Sequence, residues 1–406
     1  MTTTVHARVH HLFVGNLNAP ARLYALAFDD ETLGFEVTAN MMADATHAWI
    51  AFDANKTNVY GASLGKAAIA SYEVVVEGGQ EDTTKNLTLA FRNSVAAAGE
   101  CFNRTAAFVL PHPVFPRVYT GSWPGPEACA MALSISEPPP PGNNNNNTTN
   151  NGGGVLEEVI QSWRYGNTSG IHGLALDPAG TTIYSADLNG DALWAHVISP
   201  DGTGRVVGLR GRYDLAPAGQ HPRHLVVHPN GRVLYVVMEA ASVVAAYSLD
   251  DVTRLPVAEL SRHSLLPEGA EPGEYWSAEV MLSFVQRPDT QSPKYLWATA
   301  RAWPGNGHTG FISAFGLDGE SGQVREQLFR VPTTTKNGIA NAVAPAPWSE
   351  DWAAMTDVGT GYVQMWHIEP ATSNEETGEV MTTTARDVAR VDIPDGGCCA
   401  NVIWYD

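Results

Sequence analysis

Four side chains of this 406-residue chain recur at matching intervals and carry groups able to grip an anion and move a proton: His172, Arg223, Glu239 and Arg301. His172, in Gly170-Ile171-His172-Gly173, lies five residues ahead of an Asp177-Pro178 turn. Arg223, in His221-Pro222-Arg223-His224, lies five ahead of His228-Pro229. Tyr184 and Tyr235 each follow seven residues after the first residue of their turn, Glu239 comes four past Tyr235, and Arg301 comes four past Trp297. If the first apolar run of each repeat is a strand leading into the turn and the second returns antiparallel, the start of one and the end of the other share a rim. All four groups then converge on one face.

Two guanidinium forks suit carboxylates or phosphates, each charge-assisted hydrogen bond contributing on the order of 1.5–3 kcal/mol. A histidine and a glutamate beside them can transfer protons, an effect worth roughly 10²–10⁴-fold in rate. His221 and Asn341 are further candidates for substrate contact. No His-x-His or carboxylate cluster of ligand spacing appears, so no metal site is expected. Plainer roles stand beside these. His172 can be a hydrogen-bonded structural group, Arg223 a tie between repeats, Glu239 its ion-pair partner, and Arg301 a surface residue next to the Trp303-Pro304-Gly305 loop.

The elements that must position these groups are short. Val/Ile/Tyr/Trp-rich runs separated by turn residues recur along the chain, and helical periodicity is hard to find. First-strand starts fall near residues 49, 106, 171, 222, 278, 341 and 401, a period of roughly 50–65 residues that suits four-stranded blades. The expectation is an all-β, seven-bladed β-propeller spanning 1–406 as a single domain. The strand-like His11-Leu12-Phe13-Val14-Gly15 and Asn401-Val402-Ile403-Trp404-Tyr405 should share one blade and close the ring. Tyr60, Tyr184, Tyr235 and Trp352 are expected in one repeat slot, seven residues after Asp53, Asp177, His228 and Pro345. The low-complexity stretch 138–154, with four prolines, five consecutive asparagines and three consecutive glycines, is expected to be a disordered loop within that domain.

Composition narrows the partners. A formal net charge of −19 argues against nucleic acid and anionic membranes as partners. It permits a small anionic ligand, because exposed charges are screened beyond roughly 8 Å and clustered arginines dominate a narrow pocket. No apolar run reaches the roughly 18 residues of a membrane span. The start of the chain lacks a signal-peptide pattern, and Cys101, Cys129, Cys398 and Cys399 form no Cys-x-x-Cys pair, so reduced thiols and a cytoplasmic location are expected. Nothing in the pattern decides between a monomer and a homo-oligomer.

The chain resembles the fungal 3-carboxy-cis,cis-muconate lactonizing enzymes, or carboxy-cis,cis-muconate cyclases, of the propeller-lactonase superfamily. The resemblance rests on His10-His11-Leu12, Gly170-Ile171-His172-Gly173, Tyr184-Ser185-Ala186-Asp187-Leu188, His221-Pro222-Arg223, Met238-Glu239-Ala240, Arg301, Asn341-Ala342-Val343, Pro347-Trp348-Ser349 and Ile403-Trp404-Tyr405-Asp406. It implies a seven-bladed propeller and a cofactor-free intramolecular lyase that makes a carboxymuconolactone in protocatechuate catabolism, the β-ketoadipate pathway. On this resemblance Arg223 and Arg301 hold a polycarboxylate, His172 or Glu239 delivers the proton, and His221 and Asn341 contact substrate. Two departures stand out: Ile339-Ala340 replaces an expected His-Ser pair, and His224 stands where the family pattern has Trp. Competing expectations are a lactone hydrolase resembling 6-phosphogluconolactonase, and a non-enzymatic propeller binding partners through apolar rim segments such as 115–123.

Overall fold

In the computed structural model the described residues are 8–77, 86–137, 153–283, 292–336, 342–373, 380–393 and 398–406. They form seven four-stranded antiparallel sheets, or blades, arranged in a closed ring as the repeat predicts. Blades 2 to 6 each run inner to outer in chain order, across residues 47–96, 106–164, 171–214, 222–264 and 275–336. Blade 7 does the same across 343–392. Blade 1 takes its three outer strands from the N-terminal part of the chain and its innermost strand, Cys398–Trp404, from the C-terminal part. Successive innermost strands pack against one another around the bore, so closure removes the exposed sheet edges an open array would have.

The repeat's turns and tyrosines explain how the blades hold together. Asp177 accepts backbone N–H bonds from Thr181 and Thr182 at 2.6 and 2.8 Å, which pins the hairpin between the first two strands. His228 and His112 do the same work through Nδ1, accepting from Asn230 and from Val114 and Phe115. The phased tyrosines are fully buried, and each sends its hydroxyl to a carbonyl in an outer hairpin of the next blade. Tyr60 donates to Gly154 (2.8 Å), Tyr119 to Gly204 (2.6 Å), Tyr184 to Arg254 (2.7 Å) and Tyr235 to Gly322. A buried phenol needs such a partner, and its position is therefore locked to the repeat.

Three expectations need correction. In blade 7 the turn from Ala346 to Trp352 is one residue longer than that from Asp177 to Thr182, so Ala354 rather than Trp352 occupies the tyrosine slot. The same shift aligns Ala342 with Gly173; Ile339, Ala340 and Asn341 lie outside the described residues. Residues 115–123 are not an apolar rim loop: most form the second strand of blade 3, Arg117–Ser122, with Val118 and Tyr119 wholly buried. Finally, Cys101 and Cys129 are disulfide-bonded, their Cα atoms 5.5 Å apart. A short helical turn at Gly99–Cys101 folds back on the third strand of blade 3, a contact that cysteine spacing alone could not show. The low-complexity residues 138–152 lie outside the described residues. Thr372–Ser373 and Val380–Met381 pair as a small ribbon.

Candidate active site

The innermost strands of blades 2 to 6 each open with a register break, and the skipped residue lines the bore. The breaks fall at Ala48, Ala107, His172, Arg223 and Ala278 in blades 2 to 6. A bulge re-aims a side chain without ending the strand, which is what a site at a barrel or propeller rim requires. Ala400 lies within the corresponding break of blade 1. Most blades therefore place only a methyl group in this slot, and blades 4 and 5 place an imidazole and a guanidinium.

The slot residues, together with Leu64, Trp123, Glu239 and Arg301, each four past a second-strand aromatic, line one cavity of about 290 Å³. His172, Arg223, Glu239 and Arg301 are all in its wall, so the structure brings together the four groups that spacing singled out. Its two sides differ. Blades 4 to 6 contribute those four plus His224 and Glu279. Across from them Leu17, Leu64, Trp49 and Trp123 from blades 1 to 3 form an apolar wall, with the small slot residues between. Such a pocket fits a ligand with carboxylates at one edge and a flat hydrocarbon portion at the other.

Glu239 bridges the two arginines. Its Oε2 accepts from Arg223 Nη1 at 2.7 Å and from Arg301 Nη2 at 3.4 Å. Arg223 also donates from Nε to the Ala278 carbonyl at 3.0 Å, which ties blade 5 to blade 6 and fixes the fork. Arg301 is 5% exposed and lies 5.1 Å over the Trp276 ring, itself packed on Trp303. Burial and the neighbouring Arg223 charge pull Arg301 down to about 9, with Glu239 opposing, so it stays cationic at neutral pH while poorly solvated. An anion entering the cavity would relieve that.

The imidazole of His172 is buried against Trp123 and hydrogen-bonded through Nδ1 to His224 Nε2 at 3.0 Å. Burial, followed by the charges of Arg223, His224 and Arg301, pushes its proton affinity well below the usual imidazole range. His224 Nδ1 is 2.6 Å from Glu279 Oε2, and the Val280 N–H donates to Glu279 Oε1 at 3.1 Å. His224 and Glu279 were not singled out by spacing. Both stand one residue past the bulged slot, where blades 2 and 3 carry Trp49 and Phe108 and blade 1 carries Asn401. That second register was the signal available for finding them.

His221 is placed differently from its expected role. It is not among the described residues lining the cavity. Its backbone holds the rim instead: at φ +54° its N–H donates to Asp191 at 2.8 Å, and its carbonyl accepts the Glu239 N–H at 2.7 Å. Asn341 lies outside the described residues. Among the described residues no group of His, Cys, Asp or Glu is arranged to hold a metal ion, and no helix is long and apolar enough to cross a membrane.

The fold is that of a lactonase-type seven-bladed β-propeller, and the family model of that description, "Lactonase, 7-bladed beta-propeller", matches residues 154–338. The chain is 30% identical to the carboxy-cis,cis-muconate cyclase of Neurospora crassa over 98% of its own length and 100% of that protein's, and it belongs to that enzyme's family. Muconate cycloisomerase 1 of Cutaneotrichosporon cutaneum is 25% identical, covering 93% of this chain and 96% of its own. Among solved structures, a 6-phosphogluconolactonase-like protein of Bacteroides fragilis superposes with a TM-score of 0.70 over 100% of both chains at 17% identity, a likeness of fold.

Proposed function

We propose that this chain is a cofactor-independent intramolecular lyase that closes a lactone on 3-carboxy-cis,cis-muconate or a closely related unsaturated polycarboxylate. One observation carries the reading: a buried imidazole, the buried guanidinium of Arg301 and the partly buried guanidinium of Arg223 share one wall of a cavity whose opposite wall is apolar. The Neurospora crassa relative bears the name of this activity.

In the reaction, one substrate carboxylate oxygen adds to a conjugated carbon and the neighbouring carbon takes a proton. Arg223 and Arg301 hold the carboxylates, with Glu239 as their resting counter-ion. Negative charge that builds on a conjugated carboxylate during addition is stabilised by a guanidinium held in place beforehand. The apolar wall of Trp49, Trp123, Leu17 and Leu64 receives the diene and keeps water from the reacting carbons. His172 is the proton donor and Glu239 its electrostatic partner. The low proton affinity of His172 in the free protein comes partly from Arg223 and Arg301, and a bound polyanion offsets both charges, so the imidazole gains its proton with the substrate.

The test is to mix the protein with 3-carboxy-cis,cis-muconate and, separately, with 6-phosphogluconolactone. Loss of diene ultraviolet absorbance with no lactone opening supports the cyclase; opening of the sugar lactone with an untouched diene rejects it in favour of a hydrolase. The cytoplasmic location read from the sequence meets a counter-observation in the Cys101–Cys129 bond, which is rare in reducing compartments. Counting free thiols in protein taken directly from cells decides between them.

A further inference from the structure

Converting a carboxylate into a lactone ester removes one negative charge and creates one C–H bond, so every turnover consumes a proton from solution. The group that protonates carbon must be reloaded each cycle. It must also hold a proton beside two arginines that repel it. The fold supplies a route for that charge. From three successive blades, Glu279, His224 and His172 form a continuous line of hydrogen bonds, 2.6 Å and then 3.0 Å, ending at the cavity wall. Glu279 is 2% and His224 4% exposed.

The line is built, not incidental. Gly173 leaves the space through which His224 reaches blade 4: a Cβ there would lie 2.6 Å from the Arg223 carbonyl and 2.8 Å from His224 Cδ2. Trp49 and Phe108 hold the other edge of the His224 ring, at centroid distances of 4.9 and 5.6 Å. The charged or titratable groups around the imidazole pair are Arg223 on the same strand as His224, Glu239 just past the second strand of blade 5, Arg301 from the second strand of blade 6, and Glu279. Only Glu279 pairs with an imidazole.

We infer that His224 and Glu279 are positioning residues that form, with His172, a proton relay serving the carbon-protonation step. This rests on the lactone-forming reading above. Glu279, which accepts the Val280 N–H, takes a hydrogen bond from His224 Nδ1–H. The bare Nε2 of His224 then accepts from His172 Nδ1–H, which leaves His172 Nε2 as the nitrogen that serves the cavity. A proton arriving at His172 Nε2 lets the Nδ1 proton pass to His224 Nε2, so the positive charge rests against the Glu279 carboxylate. In the productive step His172 Nε2–H breaks as the substrate C–H forms from the enolate electron pair. The proton on His224 Nε2 returns to His172 Nδ1, and all three groups regain their starting state.

The experiment uses histidine nitrogen-15 NMR on the whole protein, with and without propane-1,2,3-tricarboxylate, an unreactive tricarboxylate, in the wild type, His224→Phe and Glu279→Gln. In the ligand-free wild type both rings should carry Nδ1–H and bare Nε2, and the tricarboxylate should add one proton shared between them. In His224→Phe that uptake should vanish, with kcat down on the order of 100-fold and KM within about threefold. Glu279→Gln keeps the shape and should move the alkaline limb of kcat to lower pH by about one unit, because the relay proton is held less firmly. His172 bearing its proton on Nε2 in the ligand-free wild type, or His172 nitrogen signals unchanged by His224→Phe, overturns the relay. Failure of the tricarboxylate to bind would instead count against the polycarboxylate reading, while the ligand-free tautomers still decide the relay.

Discussion

Replacing Arg301 with Met tests whether the site trades stability for anion binding. The guanidinium is 5% exposed, rests on the Trp276 ring and shares Glu239 with Arg223. Its proton affinity is drawn down to about 9, chiefly by burial, which means that holding the charge costs the folded protein several kcal/mol at about 1.4 kcal/mol per pKa unit. Methionine fills similar volume without that cost, and Glu239 keeps its shorter contact to Arg223, at 2.7 Å. Stability of Arg301→Met should therefore be unchanged or raised, since apolar replacement of a buried ion is often neutral or stabilising. Binding should move the other way. A carboxylate that loses one buried charge-assisted hydrogen bond forfeits about 1.5–3 kcal/mol, a factor of roughly 10–150 in Kd. Isothermal titration with propane-1,2,3-tricarboxylate measures the second effect and urea unfolding the first. An unchanged Kd together with a stability loss above about 2 kcal/mol would make Arg301 a structural tie and remove it from the site.

Further outcomes follow from other contacts. Tyr184→Phe should lower stability by roughly 1–3 kcal/mol, because the Arg254 carbonyl loses its buried donor, while turnover stays near wild type; denaturant unfolding and the ultraviolet assay read the two. Asp406 carries a pH signature. Burial pushes its carboxyl up, but hydrogen bonds from His10 and His11 outweigh that and hold it at about 2. Because this folded-state value lies below the unfolded one, its contribution is complete above about pH 4 and disappears as pH falls towards 2. Thermal melts of Asp406→Asn should lack that acid dependence and lose about 2 kcal/mol near neutrality. Trp123→Ala should weaken binding of a muconate more than binding of the saturated tricarboxylate, since the indole faces the place of the diene; equal losses would exclude that placement.

Much of the architecture was readable because the repeat is enforced by chemistry that cannot drift. The phased tyrosines must reach a carbonyl in the next blade, and the Asp177, His112 and His228 turns must supply a side-chain acceptor. The phase failed at Trp352, where one extra turn residue shifts the register without changing the apolar pattern. His172, Arg223, Glu239 and Arg301 were visible because the rim slots they occupy are filled elsewhere mostly by Ala, Leu or Trp. His224 was noticed only as a departure and Glu279 not at all. Their meaning depends on side chains leaning across three blades, and that lean is set by the gap at Gly173 and the rings of Trp49 and Phe108 rather than by spacing. The Cys101–Cys129 bond was hidden for a related reason, since a sequence separation of 28 gives no hint that a helical turn folds onto a strand.

The most direct measurement is to run the reaction on 3-carboxy-cis,cis-muconate in heavy water and follow the product by proton NMR. A lactone carrying a single deuterium, on one face of one carbon, is the predicted result, with His172→Ala slowing its formation far more than it weakens substrate binding. Recovery of unchanged diene, or deuterium scrambled over both faces, would contradict an enzyme that adds a carboxylate across a double bond and protonates the neighbouring carbon from the blade 4 imidazole.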